Sequence, residues 1–329
     1  MPRLPDSAHD TTAIGIGCAY LRAGSPTWRS HRLVHAALDA GARHFDVAPL
    51  YGRGTAETVL GEALRGRSEA VTITTKAGLP PRRMSRHKMM VHGLAAPVRD
   101  LLRRHRPGLH GTALASVVPK EFARDFAPAA IAASLETSLR ALRRDHVDVF
   151  ALHEVLAEEI TEELLETLQR AQAAGKVRTL ALATRRAETS DILARWPGVF
   201  GLVQYSWSAL DAPLTPEPGQ PFRITHRAVM RAFGPLQQLF AQDQALCNRL
   251  SAACDADLGA PDQLGQALIG AAMAANAGGI TLVASHTIAR TKSNVALGLD
   301  PQTPRLGARF LKALAPLDRS LLPDVTDPA

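Results

Sequence analysis

The sequence predicts a closed (β/α)8 TIM barrel, for three reasons. Eight short apolar runs alternate with helical patterns along the 329 residues. Most of these runs are β-branched or apolar throughout, which is typical of strands buried on both faces of a parallel sheet. The rival fold, an open doubly wound sheet, lacks its signature, because Gly15-Ile16-Gly17 is not extended into a GxGxxG motif after the first strand.

The predicted strands and helices alternate in the order that such a barrel requires. Along the chain, the strands are predicted at Ala13–Gly17, Arg43–Asp46, Val71–Lys76, Val147–Leu152, Val177–Ala183, Val199–Gln204, Phe222–His226 and Ile280–Ala284. The clearest helical patterns are Thr27–Ala40 before Gly41, a helix capped by Thr55 that runs to Arg65 with Glu57 in its first turn, the stripe of Ile131, Leu135, Leu139 and Leu142, and Thr161–Ala174 before Gly175.

A bland run from Gln266 to Ser285 is rich in Ala and Gly and is interrupted by Gly278-Gly279. A helix followed by a strand explains this run better than a membrane span does. We therefore expect no membrane association.

One long segment interrupts the alternation. Residues Ala77–Ala127, about fifty in number, separate the third strand from the third helix, which is long for a βα loop. We expect a single barrel domain over residues 1–329, with an insertion over 77–127 at the catalytic face. There it would shape the substrate pocket or a subunit contact and attract an anionic substrate. A peripheral decoration of the barrel is the alternative.

The net charge is +7 and the pI about 9.8. Aromatic residues make up only 5% of the chain, and none is interleaved with the basic runs, so a stacking platform for nucleic acid is not expected. Much of the basic excess lies in the insertion, at Arg82, Arg83, Arg86, His87, Lys88, Arg99, Arg103, Arg104, His105 and Arg106.

Cysteine usage and the N-terminal segment indicate the compartment. Three cysteines without a CxxC pair argue against a disulfide framework or a thiolate zinc site and fit a reducing environment. The segment MPRLPDSAHD lacks the apolar core of a signal peptide. We expect a cytoplasmic protein, while the oligomeric state is left open.

Four residues suited to acid–base chemistry lie near neighbouring strand ends. Asp46, Lys76 and His153 come at the ends of the second, third and fourth strands, and Tyr51 lies in the loop after the second. In a barrel all four rise from one rim. The usual pKa of a Tyr, near 10, is too high for an efficient acid, and the Lys76 ammonium would lower it. Asp46 would hold Lys76 charged, and His153 would hydrogen-bond a substrate carbonyl. This set suits proton donation to a carbonyl oxygen while hydride arrives from a nicotinamide.

Each of these residues also has a structural explanation when it is taken alone. Asp46 suits a helix cap or turn, Tyr51 a packed loop aromatic, and Lys76 an exposed strand-end charge. His153 suits a hydrogen-bonded polar residue. The catalytic interpretation depends on their joint occurrence at consecutive strand ends.

The strings DVAPLYGRGTAETVLGEAL, TTKAG and DVFALHE, which hold these residues, resemble the aldo-keto reductase superfamily. The resemblance covers all eight βα units and is strongest in the first half of the chain. It implies that Asp46, Tyr51, Lys76 and His153 form a catalytic tetrad. It also implies carbonyl reduction or alcohol oxidation with NADPH or NADH, and without a metal.

The same resemblance implies a cofactor site. The segment ASHTIARTKSNVALGL after the last strand is similar to the family's segment for the 2′-phosphate and adenine. Ser285, Thr287, Arg290 and Asn294 match it, and a bidentate Arg290 would favour NADPH, with NADH possible. Gln204, at the end of the sixth strand, matches the glutamine that binds the nicotinamide carboxamide. The alternative is that Arg290 and Lys292 are only exposed helix charges.

Three positions depart from the family pattern. Ala284 stands where many relatives have a Lys, and Ala183-Thr184 stands for a Ser-Asn pair that binds the carboxamide. Thr184 would keep one of those hydrogen bonds. The seventh strand lacks a Tyr to stack on the nicotinamide and offers His226 instead.

The expected function is therefore NADP(H)-dependent interconversion of a small-molecule carbonyl and an alcohol, with Tyr51 as the general acid or base. Two alternatives stay open. One is a sugar or pyridoxal-type dehydrogenase that uses NAD(P), and the other is a non-catalytic, nicotinamide-binding regulatory subunit.

Overall fold

Eight parallel strands close into a barrel in the computed structural model, which describes residues 2–7, 10–23, 27–67, 71–80, 124–214 and 219–317. The strands follow one another around the barrel in chain order, and the last pairs with the first. The (β/α)8 prediction is therefore confirmed. The strands are β1 (Ile14–Gly17), β2 (His44–Asp46), β3 (Thr72–Ala77), β4 (Val147–His153), β5 (Val177–Ala183), β6 (Leu202–Ser206), β7 (Phe222–His226) and β8 (Ile280–Val283).

Helices surround this barrel. Between β7 and β8 the chain forms three helices, and in the described residues after β8 it forms two more, so the second half is more elaborate than one helix per strand. The helices are α1 (Trp28–Asp39), α2 (Ala56–Ala63), α3 (Pro128–Leu142), α4 (Glu162–Ala173), α5 (Arg186–Arg195), α6 (Ala228–Gln242), α7 (Gln244–Cys254), α8 (Pro261–Ala275), α9 (Ile288–Leu299) and α10 (Gln302–Leu314).

Along each strand, successive side chains face the surrounding helices and the barrel lumen in turn. Along β4, Phe150 and Leu152 join the large apolar cluster that contains the helical residues. Val149 and Ala151 instead join a separate cluster with residues of β5 to β8. Because successive side chains of a strand point to opposite faces, the second cluster fills the lumen.

Part of the lumen is polar. His44 is fully buried, with its Nδ1 3.0 Å from Thr72 Oγ1 and its Nε2 3.4 Å from Thr74 Oγ1. Burial, together with the Lys76 charge, lowers the pKa of His44 from 6.5 to about 3. The imidazole is therefore neutral at physiological pH, because burial penalises its charged form.

The sixth strand differs from its prediction. The sequence pattern places it at Val199–Gln204, but it covers Leu202–Ser206, so Gln204 lies in the middle of the strand. The cause is a turn over residues 197–199, in which Gly198 adopts φ 77°. The apolar residues Val199 and Phe200 precede the strand.

Thr55 does not cap α2 as predicted. It is the residue before the helix, but its hydroxyl donates to Gly52 O at 2.8 Å and accepts from Ala23 N at 2.9 Å. The side chain thus joins two loops at the barrel mouth. Thr161, by contrast, caps α4 by accepting from Leu164 N at 3.2 Å.

The remaining boundaries agree with the predictions to within a few residues. The run Gln266–Ser285 forms most of α8 and then β8, as expected. Most of the insertion, residues 81–123 with their basic cluster, lies outside the described residues. Within the described ranges, no helix is long and apolar enough to span a membrane.

Candidate active site

A buried ion pair stands at the centre of the barrel mouth. Asp46 and Lys76 are 2% and 1% exposed, and both are on the lumen side of their strands. Lys76 Nζ lies 2.7 Å from Asp46 Oδ1 and 2.6 Å from Asp46 Oδ2, and it also donates to Val47 O at 3.2 Å. Burial alone would lower the pKa of Lys76, but Asp46 and Tyr51 together raise it. The ammonium therefore stays charged.

The loop after β2 brings Tyr51 to this ammonium. Tyr51 begins a short 3-10 helix over Tyr51–Arg53, and its backbone N donates to Ala48 O at 3.0 Å. Gly52 follows with φ 59°, and a Cβ built there would lie 1.9 Å from Leu21 O, so only glycine fits. The Tyr51 ring centroid lies 5.0 Å from Lys76 Nζ, and the charge of Lys76 acts on the phenol.

Two histidines end strands at the same mouth as the phenol. His153 ends β4, and its ring lies edge-on to the Tyr51 ring with 6.2 Å between centroids. His226 ends β7 on the lumen side, since it is two residues beyond the lumen-facing Ile224. Burial lowers the pKa of His153 well below 6.5 and that of His226 to about 3. Both rings are neutral at physiological pH and are able to donate or accept a hydrogen bond.

The pKa of Tyr51 differs from the sequence-based expectation. The Lys76 charge lowers it, as predicted, but burial is the larger effect, and the pKa of Tyr51 is raised above 10. The sequence revealed the ammonium but not the depth of burial. A raised pKa keeps the phenol protonated at neutral pH, the form in which it donates a proton.

Gln204 contributes a buried acceptor to the same lumen. Burial raises the pKa of the Asp46 carboxyl, while Lys76 and the side chain of Gln204 lower it. Gln204 Oε1 is buried and has no hydrogen-bond partner among the described residues. An orphaned buried acceptor of this kind fits a ligand with N–H donors, such as a carboxamide.

A second group of predicted residues lies at the junction of β8 and α9. Ser285 Oγ accepts from Thr287 N at 3.1 Å, and Thr287 Oγ1 accepts from Arg290 N at 3.3 Å, so both hydroxyls order the start of α9. Ser285 and the buried Asn294 line a cleft between this junction and the loop after β1. Tyr20 of that loop contacts His286, with 3.8 Å between ring centroids and 45° between ring planes. A helix N-terminus beside a cleft suits an anionic ligand.

Thr184 is placed differently from the rest. It is buried directly after β5, and its hydroxyl is 2.7 Å from Thr189 Oγ1 and 3.3 Å from Arg185 O. Its hydrogen-bonding capacity is thus largely used at the start of α5. As a carboxamide contact it fits less well than Gln204.

Comparison with known proteins identifies the family. The model of the aldo/keto reductase family matches residues 13–217, which is more than half of the chain and includes the Asp46–Lys76 ion pair, Tyr51, His153 and Gln204. The chain belongs to the aldo/keto reductase family.

Curated relatives are similar over part of their length. The uncharacterized oxidoreductase YqkF of Bacillus subtilis is 22% identical over 234 residues, which cover 71% of this chain and 64% of that protein. Pyridoxal 4-dehydrogenase of Microbacterium luteolum is 43% identical over 70 residues, which cover 20% of each chain.

Solved aldo-keto reductases share the fold at low identity. The glycerol dehydrogenase AKR11B4 of Gluconobacter oxydans superposes with a TM-score of 0.68 at 17% identity, over 96% of both chains. AKR11C1 of Bacillus halodurans, in its holo form, gives 0.67 at 19%, over 95% of both. An aldo-keto reductase of Klebsiella pneumoniae in complex with NADPH gives 0.61 at 17%, over 98% of this chain and 99% of that one.

Two residues of this aldo-keto reductase escaped the sequence analysis. Asp262, in the first turn of α8, forms an ion pair with Arg290, with 3.0 Å between Oδ1 and Nη2. Arg227 directly follows β7 at the barrel mouth. A signal for Arg227 was present, because a charged residue immediately after a barrel strand is a site candidate. The sequence contains no such signal for Asp262, because its partner Arg290 is 28 residues away.

Proposed function

We propose that this protein is an NADP(H)-dependent oxidoreductase that interconverts an aldehyde or ketone with an alcohol, and that Tyr51 is its general acid and base. The observation that supports this most directly is the contact of Lys76 with both Asp46 and Tyr51 in the buried centre of the mouth. A charged ammonium held against a phenol stabilises the phenolate that forms when the proton leaves.

The residues present fit a nicotinamide dinucleotide at two points. Gln204 would hold the carboxamide through its orphaned oxygen. Ser285, Thr287, Arg290 and Asn294 would hold the adenosine end at the start of α9, with Arg290 on the 2′-phosphate. When bound, the nicotinamide supplies or accepts the hydride.

Around that hydride transfer, the chain moves a proton and orients the substrate. Tyr51 donates its proton to the carbonyl oxygen in the reduction and takes it back in the oxidation. His153, neutral and beside the phenol, donates a hydrogen bond to the same oxygen and directs the carbonyl carbon. Asp46 holds Lys76 in place and charged throughout.

The test is Tyr51→Phe, which removes the proton donor and keeps the ring. NADPH oxidation with a panel of aldehydes should fall by about 10²- to 10⁴-fold, with NADPH binding retained. Tyr205→Phe is the matched control, because Tyr205 packs among the helix-facing residues of β6 and should leave turnover unchanged. Full activity in Tyr51→Phe would refute the mechanism. NADPH binding without turnover of any substrate by the parent protein would favour the regulatory subunit.

A second candidate is a dehydrogenase that oxidises pyridoxal or a sugar lactol. The 43% identity to pyridoxal 4-dehydrogenase over 70 residues favours it. The two candidates share Tyr51 chemistry and differ in direction. Reduction of NAD or NADP with pyridoxal and with aldoses, measured beside aldehyde reduction by kcat/KM, separates them.

A further inference from the structure

Arg227 occupies the rim of the barrel mouth beside the proposed catalytic residues. The β6–β7 register pairs Ser206 with His226, and Trp207 N donates to His226 O at 3.0 Å. Arg227 is therefore the first residue beyond the sheet on its carboxyl side. In this fold the residues at that position face the bound reactants.

The backbone of Arg227 is strained. Its φ is 64° and its ψ 17°, in the left-handed region that residues other than glycine rarely adopt. It precedes α6 as the N-cap residue, but its side chain makes no capping hydrogen bond. Such conformations cluster at ligand-binding positions, where the surrounding structure maintains them.

The positive charge of the Arg227 guanidinium affects ionisable groups at the barrel mouth. The charge of Arg227 lowers the pKa of Tyr51, His153 and His226, which places it within electrostatic reach of all three. Lys76, Arg227 and Arg231 act on the two imidazoles as positive charges. Asp46 also acts on the phenol, but it is paired with Lys76, so Arg227 adds positive potential at the mouth.

We propose that Arg227 binds an anionic oxygen group, a carboxylate or a phosphate, of a reactant held beside Tyr51. Its source is the substrate, so that the site prefers aldehydes and alcohols that carry such a group. A planar guanidinium binds either group through two parallel hydrogen bonds. The inference rests on the proposed function, since it names the substrate class of the same site. The diphosphate of the dinucleotide has the same chemistry and is the source that the experiment has to separate.

The experiment compares Arg227→Gln with the parent on 4-carboxybenzaldehyde and its neutral isostere, 4-carbamoylbenzaldehyde. We expect kcat/KM for the carboxylate substrate to fall about 10- to 100-fold, the worth of a charged hydrogen bond, while that for the amide changes little. Arg227→Lys should restore part of the difference. Arg223→Gln, near the amino end of β7 and away from the mouth, is the control.

A binding measurement separates failure of this inference from failure of the proposed function. Calorimetric titration of 4-carboxybenzaldehyde into NADPH-loaded Tyr51→Phe, with and without Arg227→Gln, requires no turnover. Weaker binding in the double variant supports the inference even if hydride transfer is absent. A parallel titration with NADPH alone identifies the source of the anionic group. An equal loss of NADPH affinity would show that Arg227 binds the cofactor diphosphate and would refute selection of the substrate. Equal changes for both aldehydes, or none, with unchanged NADPH binding, would overturn the inference.

Discussion

At the scale of single residues, the protonation state of Tyr51 sets how each reaction direction depends on pH. Its pKa is raised above 10 by burial. The protonated phenol is then the dominant form across neutral and mildly alkaline pH, and kcat/KM for reduction should stay flat up to about pH 9. Oxidation needs the phenolate, so its kcat/KM should rise about tenfold per pH unit over the same interval.

Pre-steady-state or saturating-cofactor pH profiles in both directions measure this asymmetry. The residual activity of Tyr51→Phe provides the control, because its profile should lose both features. A reduction rate that already declines near neutrality would show that the Lys76 charge, and not burial, is the larger influence on the pKa of Tyr51.

A second residue-scale prediction concerns Asp262. It holds Arg290 at 3.0 Å, and both side chains are largely exposed. If Arg290 receives the 2′-phosphate, the carboxylate competes with that phosphate for the guanidinium and repels it. Because an exposed ion pair is worth at most about 1 kcal/mol, Asp262→Asn should tighten NADPH binding only about threefold and leave NADH binding nearly unchanged.

Fluorescence titration of both cofactors with the purified protein measures this effect. The double variant Asp262→Asn, Arg290→Gln closes the cycle, since Asp262 should have no influence once Arg290 is absent. Weaker NADPH binding in Asp262→Asn would mean that Asp262 positions Arg290 rather than competing for it.

The residues that strand position brings to the mouth were predictable, and the partner that a polar side chain selects was not. Asp46, Lys76 and His153 follow apolar runs, so the barrel rule alone brings them to one rim. Thr184 was expected to keep one hydrogen bond to the carboxamide, but its hydroxyl lies 2.7 Å from Thr189 Oγ1, in the next helix. Which local group a hydroxyl selects is decided by packing, which a single sequence does not display.

At the scale of elements, the loop between β2 and α2 is the part that sets the position of Tyr51. Gly52 has φ 59° and lies against Leu21 O of the neighbouring loop, where a Cβ would be 1.9 Å away. Gly52→Ala therefore has to displace one of the two loops. We expect a loss of clearly more than about 1 kcal/mol in the free energy of unfolding and a marked fall in kcat.

Gly175→Ala is the matched control for that loop. Gly175 has φ 72°, but no described atom lies within 4 Å of the position that its Cβ would take, so this variant carries the backbone strain without the collision. It should lose about 1 kcal/mol in urea unfolding and keep its kcat. Similar losses in the two variants would show that contact with Leu21 does not hold the loop.

The residues that flank each apolar run explain which element boundaries were predictable. The periodic and apolar patterns located β5 and β7 to the residue, because both runs are bounded by polar or turn-forming residues. The start of β6 was wrong because Val199 and Phe200 are apolar yet follow the Pro197-Gly198 turn. Apolarity alone does not distinguish a strand residue from an apolar residue in a turn or directly after one.

At the scale of the whole molecule, the domain organisation remains a prediction: one barrel domain over 1–329 with an insertion over 77–127 at the catalytic face. The described ends of the insertion lie side by side. Asp125 N donates a hydrogen bond to Gly78 O at 2.9 Å, directly after the final residue of β3. The two ends of the insertion are therefore close enough for a short linker to join them.

Replacing residues 82–119 by a short Gly-Ser linker should leave the thermal unfolding midpoint nearly unchanged and alter kcat/KM among substrates of different size and charge. Circular dichroism, size-exclusion chromatography and the aldehyde panel measure the unfolding midpoint, the oligomer size and the substrate preference. Unchanged kinetics together with an unchanged oligomer size would assign the insertion to the periphery.

Two histidines with a low pKa, the buried His44 and the partly exposed His226, make the whole fold sensitive to acid. The pKa of His44 and that of His226 are lowered from 6.5 to about 3 in the folded protein, so between these values the unfolded chain binds protons that the folded protein does not. The contribution of these histidines to the free energy of unfolding is fully present above about pH 6.5. It is lost as the pH falls toward 3, by about 1.4 kcal/mol per pH unit for each histidine. Urea unfolding at a series of pH values measures the slope, and His44→Gln should reduce it by about one proton while running parallel to the parent above about pH 7. An unchanged slope in His44→Gln would mean that the lumen admits water or a proton, and that His44 titrates in the folded barrel much as it does in the unfolded chain.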